Sequence, residues 1–310
     1  MFTLSDIENL GLNDVEFLGD KTIKFNSIAS ISNSREDSIT WIKLKNPDPS
    51  KHLNQTKAAV VVCGVEVEPT AEILQTKLIV RCIDPKSVFI RIAEKLFNRS
   101  GRFKGVHESA IIDAGAILGK DVFIGPNTVI GKSIIGDNAV IYGNCFIFEN
   151  VRIGKNVKIN PGVVIGADGF GYARNDAGKL EKFPHFGGVV IGDNVEIGAN
   201  TCIDRGTLDD TVIEDGVKID NLVHIAHNVR IGENSMVIAN AMVGGSTKIG
   251  KNSWVAPSVS LMNGIDLSEG VIVGMGAVVT KSIPPNETWA GNPAKKLDEF
   301  IKIQNKLKSL

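Results

Sequence analysis

An aliphatic residue returns at every sixth position along most of the chain. Ile135, Ile141, Ile147, Ile153, Ile159 and Ile165 keep that step, and Ile213, Ile219, Ile225, Ile231, Val237, Val243, Ile249, Val255, Leu261, Leu267, Val273 and Val279 keep it again without a slip. A strand repeats about every 2 residues and a helix about every 3.6, so a six-residue step describes a coil that turns a corner at each repeat. The pattern predicts a β-solenoid, with its core built by stacking aliphatic side chains of successive coils.

Many repeats read aliphatic-Gly, as at Ile124-Gly125, Ile153-Gly154, Ile191-Gly192, Ile231-Gly232 and Ile249-Gly250. The aliphatic side chain is expected to point inward, and the glycine to relieve the backbone where the wall bends. The pattern resembles the bacterial hexapeptide repeat. That resemblance implies a mainly β chain, a left-handed parallel β-helix of triangular section, with three hexapeptides making a coil of about eighteen residues. It also implies a homotrimer, the usual state of hexapeptide-repeat enzymes.

Before Gly101 the six-step repeat is absent. Short β-like runs at 22–25, 38–42, 58–63 and 78–81 alternate with helical patterns. The clearest helix is 85–98, where Val88, Phe89, Ile92, Ala93, Leu96 and Phe97 form one apolar stripe at i, i+3, i+4 spacing. Residues 1–100 therefore read as an α/β domain, followed by an aperiodic linker at 99–105.

The solenoid is expected over 106–283, with three interruptions: a one-residue slip near Gly136, an excursion from Gly166 to Gly188, and a short insertion between Ile203 and Thr207. Insertions into a solenoid project from its corners, where they reach ligands or neighbouring subunits. Phe170 and Tyr172 in the Gly-rich excursion are candidate contacts of this kind. The remaining 284–310 carries Leu297, Phe300, Ile301 and Leu307 at helical spacing, which reads as a C-terminal capping helix over the open end of the solenoid.

Composition narrows the function classes. The chain has 310 residues, 43% of them apolar and 22% charged, as in a soluble globular protein. A formal net charge of −1 gives no long-range attraction to polyanions, so nucleic acid is not an expected partner. The longest apolar runs are too short for a membrane span and the N-terminus lacks a signal-peptide layout, so a cytoplasmic protein is expected. Cys63, Cys82, Cys145 and Cys202 are scattered, which predicts neither a zinc site nor a disulfide framework. Cys202, beside inward-facing Ile203, reads as a small packing residue. No metal and no bound cofactor are expected.

Two of the five histidines stand together in the segment Asp220-Asn221-Leu222-Val223-His224-Ile225-Ala226-His227-Asn228. With Ile225 facing the core, His224 and His227 point outward, where imidazole is available as a general base near neutral pH. Counting one eighteen-residue coil in each direction from His227 reaches Asp209 and Gly245. Adjacent coils stack about 4.8 Å apart. An aspartate there would fix the histidine tautomer, and a glycine backbone N–H would stabilise an oxyanion. His227, Asp209 and Gly245 thus form a candidate acyl-transfer constellation.

The same segments carry a family resemblance. The blocks 165–173, 195–201, 203–206, 208–211, 217–221 and 225–228 resemble the UDP-3-O-acylglucosamine N-acyltransferases of lipid A synthesis, over nearly the whole chain. The resemblance implies that His227 is the general base, that Gly245 supplies the oxyanion amide, and that the N-terminal domain binds uridine. The implied reaction carries an acyl group from a thioester to the amine of a UDP-linked amino sugar. Segments 40–42 and 46–47 look like the family's nucleotide contacts, with Trp41 stacking on uracil and Asn46 hydrogen-bonding it, although the spacing is longer. Asp220, Asn221, His224, Phe170 and Tyr172 complete the expected substrate contacts.

Two departures bear on the acyl donor. The family's second histidine, in a Gly-His pair, is absent from the matching stretch Met262-Asn263-Gly264-Ile265. The tail at 290–295, with 274–280 before it, is similar to coenzyme A-dependent sugar acetyltransferases, whereas the family has a longer helical extension that engages acyl carrier protein. The donor therefore stands between acyl carrier protein and acyl-CoA. The alternatives to lipid A-type transfer are an acetyl-CoA-dependent nucleotide-sugar N-acetyltransferase for surface polysaccharide and a non-catalytic solenoid that binds nucleotide sugar.

Overall fold

The computed structural model of the chain describes residues 1–43, 48–97 and 104–308. It divides into two compact units, Met1–Arg102 and Phe103–Leu310. The first is an α/β unit around a five-stranded sheet. Its strands are β1 (Val15–Gly19), β2 (Ser27–Ile28), β3 (Ser38–Trp41), β4 (Val60–Gly64) and β5 (Leu78–Cys82), in the order β1-β5-β4-β3-β2. All neighbours are parallel except β1 and β5.

Helices α1 (Leu4–Glu8), α2 (Pro49–Gln55), α3 (Ala71–Thr76) and α4 (Pro85–Phe97) accompany the sheet. The apolar stripe of α4 buries Val88 and Ile92 in one core with Ile39, Val60, Val62 and Val80. The run 22–25 does not form the expected strand. Only Phe25 pairs there, in an isolated antiparallel bridge to Phe2, and its ring joins those of Phe2 and Phe97 in a three-ring cluster.

The second unit is a left-handed parallel β-helix with three walls. In chain order the first wall contains Gly105–Val106, the second Ile111–Ile112 and the third Ile117–Leu118; they hold eleven, nine and eight strands. The six-residue step is the wall-to-wall step. On the second wall Ile147, Ile165, Ile203, Ile225, Val243, Leu261 and Val279 pair in register, every one of them fully buried. Burying an aliphatic side chain of this size is worth roughly 1.5–3 kcal/mol, so this continuous ladder is the main cohesive element of the unit.

Corner chemistry differs from the sequence reading. Left-handed φ angles fall chiefly on asparagines, among them Asn127, Asn144, Asn200, Asn228 and Asn240 with φ between 55 and 60°. Asparagine tolerates this region better than other side-chain-bearing residues. The glycines of the aliphatic-Gly pairs lack positive φ. A Cβ at Gly125 would lie 2.5 Å from the backbone nitrogen of Gly143, and one at Gly250 would lie 2.5 Å from that of Glu269. These glycines permit the close approach of the next coil.

Parallel pairing continues beyond 283 to the strand Thr288–Ala290, which folds back on Lys295–Lys296. A short helix, α5 (Leu297–Lys308), follows. Leu297 and Phe300 are half-buried and the Phe300 ring lies against Gly291, while Ile301, Ile303 and Leu307 are exposed. No helix among the described residues is long and apolar enough to cross a membrane.

Candidate active site

His227 starts the corner between the second and third walls, directly after the strand His224–Ile225 and Ala226. Ile225 is fully buried, so the alternation of the strand turns His224 outward, and the corner swings His227 to the side. Coil by coil, Gly245 and Asn263 occupy the same corner position, each eighteen residues further on. Together these residues border a cleft of about 550 Å³ that also includes Asp204, Phe170 and Met242.

Hydrogen bonds fix the state of the His227 ring. Its Nδ1 lies 3.0 Å from Oδ1 of Asn228. The orientation of the Asn228 amide is set independently, because Oδ1 accepts from the backbone N–H of Thr207 (3.1 Å) and from its hydroxyl (2.8 Å), while Nδ2 donates to the carbonyl of Asp209 (3.3 Å). Oδ1 can only accept, so the His227 proton sits on Nδ1 and the lone pair on Nε2. That Nε2 faces Gly245: a methyl group at Gly245 would approach it to 2.7 Å. Among the described residues the Gly245 N–H has no acceptor, whereas Gly244 N–H donates to Leu261 (3.0 Å) and Ser246 N–H to His227 (2.9 Å). A basic nitrogen and an unused backbone donor therefore share one small space.

Asp209 does not hold His227. The eighteen-residue count fails in this coil because Cys202 pairs with His224, a separation of 224 − 202 = 22, whereas His224 to Met242 is 18. The four extra residues place Asp209 in a bend of the corner insertion, where its backbone carbonyl supports Asn228 and no described hydrogen bond or ion pair joins its carboxylate to the imidazole. Asn228 takes the role expected of Asp209.

Two groups that the periodicity did not single out gather here. Asp204 follows inward Ile203, at the position occupied in the next three coils by Ala226, Gly244 and Met262. Its residue is 8% exposed, and one carboxylate oxygen lies 3.8 Å from Nε2 of His224. Burial pushes its carboxyl up to about 6, opposed by the nearby His224 and His227 and reinforced by Asp168. A carboxylate replacing a small or apolar residue was the available sequence signal.

His185 returns from the excursion as a buried ring, 5.4 Å from that of His227 in an edge-to-face arrangement. Its Nδ1 donates to the carbonyl of Phe183 (2.9 Å), and its Nε2 is buried without a partner among the described residues. The excursion is aperiodic, so no count could have brought His185 to this place.

The excursion itself is a hairpin of Tyr172–Arg174 against Leu180–Lys182, closed at its base by an ion pair of Asp168 with Lys182. Arg205, buried, ties that base down through the Gly166 carbonyl (2.6 Å) and Glu149 (2.8 Å). Phe170 is 87% exposed over the cleft, with its ring 5.0 Å from that of Tyr172.

Other expected residues lie elsewhere. Asp220 and Asn221 stand at the corner between the first and second walls, where they cap backbone N–H groups: Asp220 accepts from Ala239 (3.2 Å) and Asn221 from Ala199 (2.6 Å). They border a different cleft, with Lys218 and Met236. Within one chain they are not joined to His227. Cys202 is exposed rather than packed, because it shares the outward ladder of His224.

In the first unit Trp41 is stacked on Phe89 with centroids 6.1 Å apart and planes at 28°. It borders a cleft of about 480 Å³ with Ile28, Ser30, Thr40 and Lys43. Asn46 lies outside the described residues.

Against known families, the model described as bacterial transferase hexapeptide (six repeats) matches 115–149 and 210–245, and that described as hexapeptide repeat of succinyl-transferase matches 188–223 and 249–281. The second unit is a hexapeptide-repeat β-helix. The UDP-3-O-acylglucosamine N-acyltransferase of Francisella tularensis subsp. holarctica (strain FTNF002-00 / FTA) is 42% identical over 204 residues, 59% of this chain and 58% of its own length. That of Xanthomonas axonopodis pv. citri (strain 306) is 46% identical over 209 residues, 61% of this chain and 59% of its own. The chain thus matches less than two thirds of these relatives. The resemblance read from the sequence blocks is borne out over that span, which is shorter than the near-complete coverage expected.

Among solved structures, the UDP-N-acetylglucosamine O-acyltransferase of Moraxella catarrhalis RH4 superposes with a TM-score of 0.57 at 26% identity, over 64% of this chain and 77% of its own. The UDP-N-acetylglucosamine acyltransferase of Bacteroides fragilis 9343 gives 0.56 at 28% identity, over 62% and 73%. Both share the left-handed hexapeptide β-helix with this chain.

Proposed function

We propose that the chain is an N-acyltransferase that moves an acyl group from a thioester to the amine of a UDP-linked amino sugar, in lipid A or related cell-envelope glycan synthesis. The observation that carries this reading is the lone pair of His227 Nε2 beside Gly245, whose backbone N–H is unused among the described residues, in the cleft they both border. The named activity of the relatives supports it.

In the proposed reaction the sugar nitrogen attacks the thioester carbonyl carbon while Nε2 of His227 takes a proton from that nitrogen. A C–N bond forms, and the carbonyl oxygen becomes an oxyanion that accepts from the Gly245 N–H. Collapse of the intermediate breaks the C–S bond, the thiolate takes the proton from His227, and an amide and a free thiol leave. The tautomer set by Asn228 is the one this sequence of proton transfers requires. Both amine acylation and the later protonation then pass through a single nitrogen.

Acyl carrier protein or acyl-CoA would supply the thioester, and both are carriers of the cytoplasm. Asn263 and Gly264 border the cleft in the stretch that, by the family resemblance, would carry a second histidine, and this keeps a short-chain acyl-CoA donor as the second reading. Uridine is assigned to the cleft beside Trp41. A homotrimer is proposed as well, supported by the outward ladder Met236, Trp254 and Ile272, which leaves three large apolar side chains exposed in register on the first wall.

His227→Ala tests the base. Amide formation should fall about 10²–10⁴-fold, with UDP binding measured by calorimetry unchanged. A variant of wild-type activity would overturn the assignment.

A further inference from the structure

Asp204 lacks what a buried carboxylate ordinarily has. Such groups are almost always met by hydrogen-bond donors, because taking an ionised oxygen out of water without them is costly. Here the residue is 8% exposed and sits on the cleft wall, no hydrogen bond to its carboxylate is described, and its one described ion-pair contact is with His224 Nε2 at 3.8 Å, beyond hydrogen-bond reach. The neighbouring Arg205 does not serve it, because its guanidinium is turned to Gly166 and Glu149. The equivalent positions of the following coils are Ala226, Gly244 and Met262, so the solenoid itself has no use for a carboxylate at this point.

The other groups that face it are His224 and His227 from the adjoining coil and Asp168 from the excursion. What is missing is a cationic or strongly donating group brought by a ligand, beside the basic nitrogen of His227.

We propose that Asp204 is a specificity-determining residue that receives the amino group of the acceptor as its ammonium ion and thereby selects amine over hydroxyl acceptors. This inference rests on the acyltransfer reading and deepens it. A primary amine next to a sugar ring arrives largely protonated near neutral pH, and protonated nitrogen cannot attack. Bound to Asp204, the ammonium is held beside His227 and gives one proton to bulk water, which leaves a neutral amine; Nε2 of His227 takes the second proton as the C–N bond forms and passes it to the leaving thiolate. A hydroxyl in the same place offers one neutral donor and gains far less from the carboxylate, since charge-assisted hydrogen bonds are roughly twice as strong as neutral ones.

The test uses the full chain without acyl donor, so that turnover is not required. Calorimetry compares binding of UDP-3-O-acylglucosamine with its counterpart carrying a hydroxyl in place of the amine, for wild type and Asp204→Asn. Wild type should prefer the amine by on the order of tenfold. Asp204→Asn should reduce that preference to within about twofold and leave affinity for the hydroxyl ligand unchanged. An unchanged preference, or equal weakening of both ligands, would overturn the role of Asp204 while leaving the acyltransfer reading intact. Wild type that binds neither ligand would overturn both.

Folding of the variant gives a second readout. Burial lifts the carboxyl to about 6 from an ordinary 3.8, so its ionisation costs the folded state. Below about pH 3 the acid is neutral in both states and the substitution should hardly move Tm. Above pH 6 wild type bears the cost and the amide does not, so Asp204→Asn should melt higher at pH 8. An equal or lower Tm at pH 8 would mean that Asp204 is not held as a desolvated anion, and the proposal would fall.

Discussion

At position 228 the β-helix needs a left-handed corner, and the cleft needs an acceptor for the Nδ1 proton of His227. Asparagine meets both demands, with φ at 60° and Oδ1 at 3.0 Å from the ring. The sequence count had assigned the second task to Asp209, and the two residues can be separated experimentally. Asp209→Asn keeps the backbone carbonyl that supports Asn228, so activity should stay within about twofold of wild type. Asn228→Ala removes the acceptor and frees the tautomer, so kcat should fall on the order of 10- to 100-fold with little change in KM for the sugar. Steady-state kinetics of both variants decide the matter; a severe loss in Asp209→Asn with a mild one in Asn228→Ala would reinstate the aspartate. His227 and Gly245 were legible because they lie where the eighteen-residue period is unbroken. Asp209 was misplaced, and Asp204 and His185 missed, because each lies beside or within an insertion that the period cannot see.

Among elements, the corners say most about how this sequence encodes its fold. Side chains in the left-handed region are costly unless they are asparagine, aspartate or glycine, and most corners here comply. Leu222 does not: it holds φ at 61° and is 59% exposed, so its side chain gains little packing in return. Leu222→Asn should therefore raise stability by about 1 kcal/mol, read as a higher denaturation midpoint. A lower midpoint would show that Leu222 has packing that its exposure does not suggest. The walls themselves were readable from the inward aliphatics, since one buried residue per wall is enough to set the period. The role of the aliphatic-Gly glycines was not readable, because close approach to the next coil is a contact between positions about eighteen residues apart and leaves no local signature.

For the whole molecule, the β-helix is a frame that holds an imidazole and a backbone donor together on one corner, and the excursion adds the exposed aromatics Phe170 and Tyr172 and the buried His185. Support of this kind favours catalysis by positioning. The first unit has a separate cleft at Trp41, and the first wall exposes the outward apolar ladder Met236, Trp254 and Ile272.

The most direct test of the account is thiol release by the purified chain with UDP-3-O-acylglucosamine, supplied with a hydroxyacyl carrier protein in one sample and acetyl-CoA in another, with the amide product weighed by mass spectrometry. The account predicts release of one thiol per amide with at least one donor, dependent on the amine and reduced about 10²–10⁴-fold in His227→Ala. Absence of amide with either donor, or release indifferent to the amine and to His227, would contradict it.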